Sequence, residues 1–145
     1  MAMFTIGFTR TSAENFFRRL NDAGVRTVID VRLQNTSQLA GFAKAADLAY
    51  FLGHIGDIAY RHAPELAPDE ALFTDYRKKG LSWDAFEPRF MDIMRDRRVE
   101  EKFDPEELEG ACLLCSEDKP HHCHRRLVVE YLEARWARSL DVTHL

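Results

Sequence analysis

The sequence lacks any long apolar segment. No hydrophobic run approaches the ~20 residues that a helix needs to cross a bilayer, and the first seven residues carry no basic region and no signal-peptide cleavage site. We therefore expect a cytoplasmic protein without a membrane partner. Internal repeats, low-complexity tracts and linkers are absent as well, which favours a single domain over residues 1–145.

Two common nucleotide-binding motifs are missing too. The chain contains neither GxGxxG nor GxxxxGK[ST], which argues against a standard dinucleotide site and against a P-loop. The formal net charge is −4, whereas general nucleic-acid binders carry a strong basic excess. A non-catalytic module that grips the phosphates of nucleic acid stays open as an alternative, since basic residues do cluster at 121–126.

Cysteine is scarce and unevenly placed. The chain has three cysteines, and an odd number is a poor basis for a disulfide framework. All three lie within residues 112–123. In a reducing compartment such clustering suggests metal binding, catalysis or simple burial.

The residues that are present predict a globular α/β protein. The chain has 145 residues, 46% hydrophobic and 30% charged, which suffices for one buried core. Thr11 and Glu14 match a capping box, and Gly24 and Gly53 are expected to end the first two helices. The predicted strands are 4–8, 25–31, 57–61, 110–115 and 141–145, and the predicted helices are 11–24, 43–52, 69–79, 82–99 and about 120–136.

This order of elements predicts a three-layer, Rossmann-like domain with a mainly parallel sheet of about five strands and helices on both faces. Open α/β sheets bind ligands at the carboxyl ends of their strands. Three segments are expected to meet at that edge, namely 7–10, 30–32 and 115–117.

The cysteine-rich segment supplies most of the candidate site. Cys115 ends a predicted strand, and Cys123, His124 and Arg125 lie near a helix start. The first turn of a helix stabilises anions and lowers the pKa of a nearby thiol. We predict Cys115 as nucleophile, Glu117 as proton acceptor or as anchor for Arg125, and the other three as ligand-binding residues. The alternative is that Cys115 is merely buried and the polar residues are solvated.

A second group is expected beside it. Asp30 and Arg32 are two apart on a strand and therefore share a face. Asp30 could orient a ligand or exchange a proton, and Arg32 could clamp an anion, although a structural ion pair explains the pattern about equally well. Gly7, at the end of the first strand, is assigned to ligand binding from its position, and Tyr60 is a candidate for lining a pocket.

Zinc is a competing interpretation of the same cysteines. Cys112, Cys115, Cys123 and His124 offer the donors of a Cys₃His site. Against it, residues three apart on a strand point to opposite faces, and no glycine or proline between Cys112 and Cys115 provides a turn. We therefore assign no metal and no cofactor.

Several motifs together resemble a known family. They are Thr5-Ile-Gly7, Asp30-Val-Arg32, the segments 37–43 and 64–68, Leu114-Cys-Ser-Glu117 and Cys123-His-Arg-Arg126. They are similar to the "domain of unknown function" family numbered 488, over nearly the whole chain. The resemblance implies a small bacterial or archaeal cytoplasmic α/β protein without a settled activity. Many relatives have His-Ser after the first strand, where this chain has Phe8-Thr9.

The expected function is the binding or processing of a small anionic or nucleotide-like ligand at the carboxyl edge of the sheet, with Cys115 as candidate nucleophile. Whether the protein is an enzyme, and its oligomeric state, stay open at this point.

Overall fold

The structure, a computed structural model, describes residues 2–34, 41–116 and 123–145. Within them, strands and helices alternate in the predicted order. The strands are β1 (Met3–Gly7), β2 (Thr27–Asp30), β3 (Ala59–His62), β4 (Ala111–Cys115) and β5 (Val142–His144). The α-helices are α1 (Ala13–Ala23), α2 (Ala45–Gly56), α3 (Glu70–Lys78), α4 (Trp83–Arg97) and α5 (His124–Trp136).

The five strands form one parallel sheet in the order β3-β2-β4-β1-β5. This confirms the predicted α/β class. β4 lies in the middle, and all of its residues are buried, as expected for a strand covered on both faces. Because every strand runs the same way, the ends of β1, β2 and β4 meet at one edge, at Gly7, Asp30 and Cys115.

Alternate apolar residues along each strand point to opposite faces of the sheet and fill two cores, one on each side. The α1–α2 face packs the apolar stripe of α1 and the buried residues of α2 against Leu114. The α4–α5 face packs the stripes of α4 and α5 against Leu113. Neighbouring strand residues point to opposite faces, so the two leucines belong to different cores and the domain has three layers.

The helix ends differ from expectation at two points. The capping box predicted for Thr11 and Glu14 is wrong, because Ser12 is the extended residue and its hydroxyl accepts from the Asn15 amide. Gly24 does end α1, at a φ of 75°. None of the helices in the described ranges is both long and apolar enough to span a membrane.

The second helix also ends later than predicted, since α2 continues through Gly53 to Gly56. Asp57, in the left-handed conformation, closes the helix with its backbone N–H on the Leu52 carbonyl. A glycine inside a helix costs only about 1 kcal/mol relative to alanine, so packing of the helix against the sheet decides its length.

Candidate functional site

Cys115 occupies the carboxyl end of the central strand. It is 5% exposed and pairs in register with Gly7 of β1. Paired residues of parallel strands project to the same face, so the missing side chain of Gly7 leaves room beside Cys115. Just beyond, the Ser116 carbonyl accepts from the amides of Phe8 (3.3 Å) and Thr9 (3.0 Å), which ties the ends of β1 and β4 together.

The start of α5 brings two further reactive side chains to this point. Cys123 is the N-cap residue, with an extended backbone and no side-chain capping bond, and His124 is the first helical residue. Cys115, Cys123 and His124 form the Cys-His cluster. A ligand atom of each lies within 4.8 Å of those of the other two, and the Cys115 Sγ is 3.6 Å from the His124 Nδ1.

The His124 ring is oriented by a backbone carbonyl. Its Nε2 lies 2.6 Å from the Val31 oxygen, and a carbonyl can only accept, so Nε2 carries a proton. The Cys115 Sγ lies 3.6 Å from Nδ1 and 4.0 Å from Nε2, so with Nε2 protonated the nearer nitrogen, Nδ1, is the one that can take up the thiol proton. Nucleophile, base and orienting group follow one another here as they do in cysteine–histidine catalytic sites.

The electrostatics favour a thiolate at Cys115. The pKa of Cys115 lies well below its ordinary value, because the Cys123 thiol donates a hydrogen bond to it and the His124 charge attracts it, and these effects outweigh burial. Burial, together with the bond to Cys115, raises the pKa of Cys123 and keeps that thiol protonated. For His124, burial is outweighed by Cys115 and by the Val31 carbonyl, so its pKa is raised.

Cys112 lies apart from the cluster. It is fully buried in the core of the α1–α2 face, whereas Cys115 and Cys123 belong to the core of the other face. Burial raises the pKa of Cys112 far above its ordinary value, so its thiol is inert. The four-ligand zinc site that includes Cys112 is therefore not assembled. Cys115, Cys123 and His124 are left as three donors that could hold a metal ion.

Asp30 and Arg32 form a buried, bidentate ion pair. Arg32 donates from Nε to Asp30 Oδ1 at 2.8 Å and from Nη2 to Oδ2 at 2.7 Å, and its backbone N–H also donates to Oδ1. The Tyr60 hydroxyl donates to Oδ2 at 2.6 Å. Burial would raise the pKa of Asp30, but these donors outweigh it and the pKa is lowered. Asp30 thus serves as a fixed acceptor in this structure.

This ion pair lies on the other side of the sheet from the Cys-His cluster. In the β2–β4 register Asp30 is opposite Leu114, which belongs to the α1–α2 face. Arg32 also donates to the Ala43 carbonyl and lies 5.2 Å above the Phe8 ring, both on that face. The described parts of the predicted segments share one edge, but the Asp30 and Arg32 side chains lie on one side of it and the Cys115 side chain on the other.

The remaining predicted residues fall in different places. Arg125 is completely buried. The anion-binding role that the sequence suggests for its guanidinium stays a prediction. Glu117 lies outside the described residues. The sequence did not single out Val31, whose contribution is a backbone carbonyl without a side-chain signature. His62, whose Nε2 lies 2.8 Å from the Arg32 carbonyl, was likewise not assigned a role.

One comparison with known proteins gives a match. The family model described as Domain of unknown function DUF488 matches residues 12–132, which include β2, β4 and most of α5. No curated protein and no solved structure matches the chain.

Proposed function

Since this chain belongs to the family described as Domain of unknown function DUF488, we propose from its geometry that it processes a small anionic ligand at the carboxyl edge of the sheet, with Cys115 as nucleophile. The observation that carries the proposal is the proximity of the Cys115 sulfur to the His124 ring, which the Val31 carbonyl holds by its Nε2. A thiol needs a base within reach and a group that orients the base, and both are present.

The helix start supports the anionic character of the ligand. α5 is 13 residues long, and no side-chain hydrogen bond from Cys123 caps it. The partial positive charge of such a helix end favours a thiolate and a bound anion alike. At the same edge but on the other side of the sheet, Arg32 Nη1 is buried without a hydrogen-bond partner among the described residues, which leaves that donor open to an acceptor on a ligand that spans the edge.

The chemistry that this arrangement supports is nucleophilic substitution. The Cys115 sulfur donates an electron pair to an electrophilic centre of the ligand, and the bond from that centre to its leaving group breaks. The proton held on His124 Nδ1 passes to the leaving group. Water then releases the covalent product, with His124 acting as base.

Alkylation kinetics test the nucleophile. Reduced protein is treated with iodoacetamide at a series of pH values, and mass spectrometry measures the rate at each cysteine. We expect Cys115 to react first, at a rate that is constant around neutral pH and falls only in acid. His124→Asn, which keeps a polar side chain but no basic ring, should lower the rate at neutral pH at least about tenfold, the effect of one pKa unit.

The matched control is Cys112→Ala, which removes the inert cysteine and should leave the Cys115 profile unchanged. A Cys115 rate that rises through the ordinary thiol pKa of about 8.5, with no effect of His124→Asn, would show that the cluster does not activate the thiol.

A structural or catalytic metal is the second candidate function, and one observation favours it. A sulfur and a nitrogen bound to one tetrahedral zinc ion at about 2.3 and 2.1 Å lie about 3.6 Å apart, which is the Cys115–His124 separation. Metal analysis of protein purified without chelators decides between the two functions. Near-stoichiometric zinc that is lost in Cys123→Ser would favour the metal centre.

A further inference from the structure

We propose that Cys115 and Cys123 form a reversible disulfide that switches the site off in the presence of hydrogen peroxide or a related peroxide. The inference rests on the proposed function, because it requires Cys115 to react as a nucleophile. Cys115 is the residue that reacts with the peroxide, and Cys123 is the resolving residue that completes the disulfide.

The two sulfurs are already close. The Cys115 Sγ and the Cys123 Sγ lie within 4.8 Å of each other. A disulfide bond is about 2.05 Å long, and a change of one χ1 rotamer moves a sulfur by about 3 Å. A change of side-chain rotamer is therefore of the right size to bring the sulfurs into bonding distance.

The backbone positions of the pair also suit a bond that forms and breaks. Cys115 is the last residue of β4, and Cys123 precedes the first residue of α5. Cys115 still pairs with Gly7 of β1 and the Cys123 carbonyl accepts from the Arg126 amide, so the bond has to form by rotation of the side chains while both backbones stay in place. Cys112 projects into the opposite core, so it cannot form a disulfide with either of them. Among the three cysteines, Cys115 and Cys123 are therefore the pair that can join within one chain.

The oxidation balances in two steps. The Cys115 thiolate attacks one oxygen of the peroxide, the O–O bond breaks, and Cys115 becomes a sulfenic acid while the other oxygen leaves as water after protonation. The Cys123 sulfur then attacks the Cys115 sulfur. The S–S bond forms, the S–O bond breaks, and the hydroxide leaves as water with the Cys123 proton. A small dithiol reverses the bond by exchange.

The consequence for the site follows from the geometry. The disulfide consumes the sulfur that faces His124 Nδ1, while the bond from Nε2 to the Val31 carbonyl is untouched. The His124 ring therefore keeps its orientation, but the Cys115 thiol from which it would accept a proton is gone. The resolving thiol also protects Cys115 from further oxidation to the sulfinic acid, which thiols do not reverse.

The test uses full-length protein carrying Cys112→Ala, in which only the proposed pair remains. After chelation and reduction, peroxide should remove both thiols together, with a loss of about 2 Da from the monomer mass. Dithiothreitol should restore the mass and the alkylation of Cys115. With Cys123→Ser added, Cys115 should instead accumulate sulfenic acid, trapped by dimedone. Cys123→Ala is a second variant in case Cys123→Ser fails to fold. Peptide mapping of the unsubstituted protein after peroxide should show the disulfide between Cys115 and Cys123 without any substitution.

The outcomes separate this inference from the proposed function. If Cys115 of the reduced protein alkylates rapidly at neutral pH but peroxide yields sulfinic acid beside an intact Cys123 thiol, the disulfide is refuted and the nucleophile stands. If Cys115 neither alkylates nor oxidises, both proposals fail. A disulfide between two chains, with no loss of 2 Da in the monomer, also overturns the switch.

Discussion

Replacing Asp30 with asparagine should destabilise the domain strongly, because it leaves a buried charge without its counterion. Arg32 is only 3% exposed and its guanidinium donates to both carboxylate oxygens of Asp30. Asparagine keeps the volume but exchanges one acceptor oxygen for an NH₂ group, which then faces donors from Arg32 and Tyr60.

The magnitude follows from the loss of one partner of a buried pair, which costs about 3–5 kcal/mol. For a domain of this size that corresponds to a fall of about 10–15 °C in Tm. Combining Asp30→Asn with Arg32→Met removes the uncompensated charge, so the double variant should lose clearly less stability than the sum of the two single variants.

The effect should also depend on pH. The folded pKa of Asp30 is lowered, so its stabilisation is present above the unfolded value of about 3.9 and is lost as the pH falls through the folded pKa. The unsubstituted protein should therefore lose this part of its stability below about pH 4, whereas Asp30→Asn should lack that part of the acid transition.

Urea unfolding followed by circular dichroism, at neutral and at acid pH, measures both quantities, with the slope of the transition as a check on two-state behaviour. The control is Asp75→Asn, which breaks a partly exposed pair with Arg89 at 2.8 Å and should cost much less than Asp30→Asn because water screens the pair. Equal effects of the two substitutions would refute the reasoning.

Three further predictions concern the scaffold. Gly24→Ala should lower the free energy of unfolding by about 1 kcal/mol in urea titrations, because Gly24 has a φ of 75° and no crowding around its Cα. Ser82→Ala should cost about 1 kcal/mol in the same assay, through loss of the cap on the first turn of α4. The phenol of Tyr131, held by burial and by the Glu100 carboxylate, should titrate with a pKa of about 12 in ultraviolet titrations, and Tyr131→Phe should remove that transition alone.

Much of the fold could be predicted because local and global signals agree. The β-branched run at 25–31 and the apolar run at 110–115 have the length and composition that favour strands, and right-handed crossovers then favour a parallel order of connections. The end of α2 could not be predicted, because Gly53 only weakly opposes a helix that the sheet stabilises.

The sequence predicted that these strand ends meet at one edge of the sheet, but not which face of the sheet each side chain takes. Strand parity shows that Asp30 and Arg32 share a face, but not which residue of β4 lies beside them. That depends on the register, and a shift of one residue reverses every side chain. The observed register pairs Asp30 with Leu114 rather than with Cys115, which separates the ion pair from the Cys-His cluster.

Val31 lies between Asp30 and Arg32 and connects this ion pair to the Cys-His cluster. We infer that this connection is why a costly ion pair lies at the edge of the sheet. Asp30 binds the Arg32 amide and side chain, while the Val31 amide donates to the Leu114 carbonyl. The backbone on both sides of Val31 is thereby fixed, and its carbonyl is held toward His124. A buried ion pair is weak evidence for stability. Here its effect is on the position of one oxygen, which selects the His124 nitrogen that faces the Cys115 thiol.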